Sequence, residues 1–190
     1  MERPIARAGS PANSVLAVVG ILGGAVLLAA FVVEIPSGLN DFRLLLFNAG
    51  AISIVLGVYR SHATVAPRLA LVGTVPAALA NAWHFAMVVL ATGRAEPFAG
   101  DFGLVSFWAA LAMWLTDAVF GLVAWRLGVV WKWAAVALAV GSALAVLGMD
   151  RLELTSPNNP TIFGPIALTG VALNGVAWIL LGLAQLRRRT

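Results

Sequence analysis

Asn48, Asn81, His84, Asp117 and Asn174 are polar side chains within stretches otherwise apolar enough to sit in hydrocarbon. Asp117 is the most demanding. It falls in the run from Ala109 to Trp125, where Thr116 is its only polar neighbour. A charge held at such depth is costly unless it is neutralised, paired or hydrated. No Lys or Arg shares the apolar stretches, and the nearest base on that run, Arg126, lies nine residues on and would have to snorkel inward. Protonation is the least costly escape, with Trp114 and Thr116 as neighbouring donors. The chemistry expected of Asp117 is therefore proton or cation coupling, or contact with a ligand.

His84 has an imidazole that gains or loses a proton near neutral pH, and Asn81, three residues earlier, shares its helix face. Asn48, Asn81 and Asn174 also suit plain interhelical hydrogen bonding, worth about 0.6 kcal/mol per bond in membranes. With a rise of about 1.5 Å per residue, Asn48 comes ~8 Å, His84 ~10 Å and Asn81 ~15 Å below the outer surface, and Asp117 and Asn174 both near 20 Å. The sequence permits an outer-half cluster of Asn48, Asn81 and His84 and a deeper pair of Asp117 with Asn174.

Enzyme chemistry finds little footing. His62 reads as part of a cytoplasmic loop and His84 as part of the outer half, so the two cannot share a zinc or a haem. No Gly-x-Ser-x-Gly occurs, and Ser53, Ser106 and Ser142 have no evident base. Phosphate-cradling loops and His-Glu metal motifs are absent, and an aspartyl mechanism would need a second intramembrane acid. No catalytic residue, metal site or cofactor is assigned.

The elements that must position these residues are apolar runs near the ~20 residues needed to cross ~30 Å of hydrocarbon as a helix. Six are present, at about 15–33, 44–59, 69–91, 102–125, 133–149 and 162–186. Hydrophobic residues make up 61% of the 190, and charged ones only 11%, with connections too short for a soluble domain. The expectation is an all-α integral membrane protein, one polytopic domain over 1–190, built as a bundle of six transmembrane helices.

Basic residues set the orientation, because positively charged loops stay in the cytoplasm. Arg3, Arg7, Arg60, Arg68, Arg126, Lys132, Arg187, Arg188 and Arg189 fall on one side, and Arg43, Arg94 and Arg151 on the other. Both termini are thus expected to be cytoplasmic. Glu34, Asp41, Glu96, Asp101, Asp150 and Glu153 line the outer loops, where an acidic vestibule would favour cationic solutes. The net charge of +4 is a topology signal, since its basic residues are helix-end anchors rather than a nucleic-acid surface.

Pro36, Pro97 and Pro157 recur at spacings of 61 and 60 residues, each followed by a helix-capping Asp41, Asp101 or Thr161. The pattern is either three related helical hairpins or the spacing that six even spans produce anyway. Ala17, Gly20 and Gly24 form a small-residue ridge on the first span, suited to close helix packing within the chain or against a partner. Pro76 interrupts the third span and Pro165 stands in the first turn of the sixth. Trp125, Trp131 and Trp133 flank Lys132 as an interfacial belt, while Trp83, Trp108 and Trp114 share helices with His84 and Asp117.

Zero cysteines exclude disulfides and thiol chemistry. Eleven Arg to one Lys, with abundant Ala, Val and Gly, is bacterial in flavour. The first span resembles a signal peptide in its basic start, but its length favours an uncleaved helix. The reading that follows is a plasma-membrane carrier or ligand-binding protein with a protonatable Asp117, taking a small cationic or apolar solute. The alternative is an accessory or scaffold subunit that meets a membrane-protein partner or its own copies through the Gly20–Gly24 ridge.

Overall fold

The computed structural model describes residues 11–29, 37–92, 94, 100–148 and 165–187. Among them every regular element is a helix: α1 (Pro11–Ala29), α2 (Ser37–Ala63), α3 (Pro67–Ala91), α4 (Gly100–Leu127), α5 (Lys132–Leu147) and α6 (Pro165–Arg187). Four stretches, Phe42–Ala63, Pro67–Ala91, Gly100–Leu127 and Leu168–Arg187, are long and apolar enough to cross a membrane; α1 and α5 are apolar but shorter.

Local chemistry sets several boundaries. Pro67 occupies the first turn of α3, where its missing N–H costs nothing, and Pro165 opens α6 for the same reason. At the end of α4, Gly128 adopts φ +64°, and its N–H bonds back to the carbonyls of Ala124 and Trp125 at 3.1 and 3.2 Å. This left-handed closure, which glycine adopts without steric cost, lets α5 begin four residues later. The helix α3 runs on through Pro76, whose ring is exposed.

Each helix packs against its neighbours in sequence, and α1 also packs against α6, so the six close into a ring. Further contacts of α2 with α4 and α6 turn the even-numbered helices toward the centre. There Phe47 meets Trp114 with ring centroids 5.8 Å apart, and Phe120 stacks on Trp178 at 6.2 Å, while Ile54, Val55, Met113, Leu138 and Leu181 fill the remainder. The outside is as apolar as the inside, with Leu79 66%, Leu147 76% and Trp133 83% exposed. Such a surface suits lipid, since a water-soluble domain rarely leaves so much apolar area bare.

Small residues bring the backbones together. A Cβ on Gly23 would lie 2.7 Å from the carbonyl oxygen of Leu46 on α2, and one on Gly24 would lie 2.6 Å from that of Gly175 on α6. Gly121 approaches α5 and Gly141 approaches α6 in the same way. Without a hydrophobic force to drive helix association in lipid, this close packing is a main source of cohesion.

Candidate functional site

Buried polar residues occupy the seams of the ring rather than one common layer. Asn81 on α3 is fully buried, and its Nδ2 donates both hydrogens, to Asp117 Oδ1 on α4 at 2.8 Å and to the Ala77 carbonyl of its own helix at 2.9 Å. Asp117 is also fully buried. Two oxygens of the pair, Asp117 Oδ2 and Asn81 Oδ1, are buried without a hydrogen-bond partner among the described residues. Both accept when the carboxyl is ionised, so the pair lacks a donor that one added proton, or a ligand N–H, O–H or cation, would supply.

One turn further along α3, His84 Nδ1 lies 3.0 Å from Asn48 Oδ1 on α2. The Asn48 amide is oriented by its Nδ2, which donates to the Leu44 carbonyl at 2.7 Å. Its oxygen must then face the ring, so Nδ1 carries the hydrogen and a neutral His84 keeps Nε2 as an acceptor. On the opposite side of the ring, Asn174 Nδ2 donates to Ser142 Oγ on α5 at 2.6 Å, leaving Asn174 Oδ1 buried without a partner among the described residues.

The structure thus brings Asn48 to His84 and Asn81 to Asp117, and gives Asn174 to Ser142. The permitted pairing of Asp117 with Asn174 is not made, nor does Asn81 bond to Asn48. Depth counted from span ends placed Asn81 and Asp117 about a turn apart, but antiparallel α3 and α4 cross at a register that such counting cannot fix. Nor do the neighbouring donors serve Asp117: Thr116 Oγ1 donates to the Ala112 carbonyl at 2.8 Å, and Trp114 packs on Phe47.

Of the outer acids, Asp101 stands exposed in the first turn of α4. Glu34, Glu96, Asp150, Glu153 and the side chain of Asp41 lie outside the described residues. Gly20 faces Ile54 and Gly50 of α2, and Gly24 faces Gly175 and Ile179 of α6, so the ridge is consumed within the chain. Trp83 and Trp108 are 42% and 47% exposed and turn outward rather than toward Asp117.

His62 needs a correction. It belongs to the last turn of α2, not to a loop, and is wholly buried with its ring 6.0 Å from that of Phe120. The signal was present, since Val55, Val58 and His62 continue one core stripe at spacings of three and four. Ser142 likewise has a partner in Asn174, and Gln185 Nε2 donates to the Ile54 carbonyl across α6 and α2 at 3.2 Å. Gly57, opposite the Gln185 side chain, makes space for that crossing.

Among the described residues no three His, Cys, Asp or Glu side chains gather as metal ligands. Compared with family models, curated proteins and solved structures, the chain matches none.

Proposed function

We propose that the chain is a single six-span domain of the plasma membrane, with both termini cytoplasmic, that carries a small cationic solute in exchange for a proton held at Asp117. The observation that carries the reading is the Asn81–Asp117 pair: a fully buried carboxyl, oriented by one amide hydrogen, with a second oxygen left without a donor among the described residues. A buried acid serving only to join helices would have both oxygens satisfied. The placement of α1 and α5 in the ring beside the four longer helices supports six spans, and the division of basic residues between the two ends supports the orientation.

Two of the three sequential hairpins, α3–α4 and α5–α6, are each joined by a polar pair, Asn81–Asp117 and Ser142–Asn174, while glycines meet between α1 and α2. This correspondence favours related hairpins. The accessory-subunit reading has less support, because Gly20 and Gly24 are spent on α2 and α6.

The test is proton movement in proteoliposomes holding a pH-sensitive dye, with ethidium as the cation probe. The wild type should alkalinise the lumen when ethidium is added outside, because the cation enters as a proton leaves, and Asp117→Asn, folded and equally reconstituted, should lose the response. A response in Asp117→Asn equal to that of the wild type, or none in the wild type, overturns the proposal.

A further inference from the structure

A second feature lies on the outside of the ring, where α4 and α5 run side by side. Gly121 brings the two backbones together, since a Cβ there would sit 2.7 Å from the Ala139 nitrogen and 2.9 Å from the Ala135 carbonyl oxygen. Above this seam the larger side chains part and leave a groove of about 220 Å³ lined by Leu122, Trp125, Val136, Ala139 and Val140, all apolar. Leu122, Trp125 and Val140 are 55%, 48% and 46% exposed, so the groove opens outward.

Charge marks one end of it. Arg126 is four residues beyond Leu122 and Lys132 four residues before Val136, so each base stacks one turn from a groove residue on the same helix face. Both are exposed, and the Lys132 side chain crosses the tight turn at Gly128, with its Cε 3.8 Å from where a Cβ would stand. Arg187, close by, is engaged over the Trp131 ring at 5.1 Å. Among the described residues the acids Asp101 and Asp117 stand toward the start and middle of α4, so no described carboxylate lies near these two charges.

We infer that the α4–α5 groove is a binding site for one anionic phospholipid of the cytoplasmic leaflet, with an acyl chain against Leu122, Trp125, Val136 and Val140 and the phosphate between Arg126 and Lys132. A chain with one negative headgroup fits both halves of the feature: the groove has no polar wall to satisfy, and the two bases at its mouth lie where the headgroup must end. A zwitterionic lipid would offer the same tail without the net charge. The leaflet follows from the orientation proposed above, whereas the site itself does not depend on Asp117 or on transport.

The experiment is a native mass spectrometry titration of the detergent-solubilised full chain with phosphatidylglycerol and, separately, phosphatidylcholine of identical acyl chains. The wild type should retain one phosphatidylglycerol in preference to phosphatidylcholine. Arg126→Gln/Lys132→Gln should weaken phosphatidylglycerol binding about 30-fold, roughly five-fold per charge near the surface. Val140→Trp, at an exposed position where folding is not at risk, should fill the groove and reduce binding with the charges intact. Arg60→Gln/Arg68→Gln, which removes the same charge from the α2–α3 end, should leave it unchanged. Equal retention of the two lipids by the wild type, unaltered binding in the Arg126/Lys132 variant or in Val140→Trp, or an equal loss in the Arg60/Arg68 variant, would overturn the inference.

Discussion

Replacing Asn81 by Leu keeps the approximate volume of the side chain and removes its amide. The Ala77 carbonyl retains its helical bond from the Asn81 N–H, so the loss falls on Asp117, whose Oδ1 loses its only described donor. An interhelical hydrogen bond in a membrane is worth ~0.6 kcal/mol on average and up to ~1.7. Leaving a buried acceptor unsatisfied costs ~1–3 kcal/mol. Asp117 and Asn81 are both fully buried, and Asn81→Leu should destabilise by about 2 kcal/mol. Asp117→Leu should cost less, because the Asn81 amide still donates to the Ala77 carbonyl. The double variant Asn81→Leu/Asp117→Leu should be more stable than Asn81→Leu alone, since replacing both partners by apolar groups removes the unsatisfied acid. Unfolding by increasing SDS fraction in mixed micelles, followed by helical circular dichroism, supplies all four free energies of the cycle. Strictly additive single effects, or an Asn81→Leu variant as stable as the wild type, would refute the reasoning and with it the claim that the two residues form one buried unit.

Gly24→Ala should lower the thermal midpoint, with a cost of ~1–3 kcal/mol, because the new methyl meets the Gly175 carbonyl and Ile179 of α6; an unchanged midpoint would place α1 and α6 further apart. Phe120→Ala opens a cavity between Trp178 and His62 and should cost ~3–5 kcal/mol, whereas Trp133→Ala, 83% exposed, should stay within ~0.5 kcal/mol in the same micelle assay.

Much of the helical content was legible in the sequence because a helix in lipid must satisfy its backbone within its own segment, so each apolar run carries its own instruction. The run at 69–91 became Pro67–Ala91 and that at 102–125 became Gly100–Leu127, differing only at ends where capping and proline decide. Asp117 was also visible, because the cost of an acid in an apolar run is local. Its partner was not. Distance along a helix says nothing about azimuth, about which helices are neighbours or about their register: α4 packs on α3 and α5, so Asp117 meets Asn81 rather than the permitted Asn174. His62 was misplaced for a related reason: the apolar run ends at residue 59, yet the helix runs to Ala63 and turns the imidazole inward onto Phe120. Gly20 and Gly24 announced close approach, but only the ring closure of α1 between α2 and α6 decided against which backbones. What the residues determined alone was therefore each helix and the groups that burial would penalise. Which groups meet was decided by the order and register of the helices, a property of all six packed together and of no segment by itself.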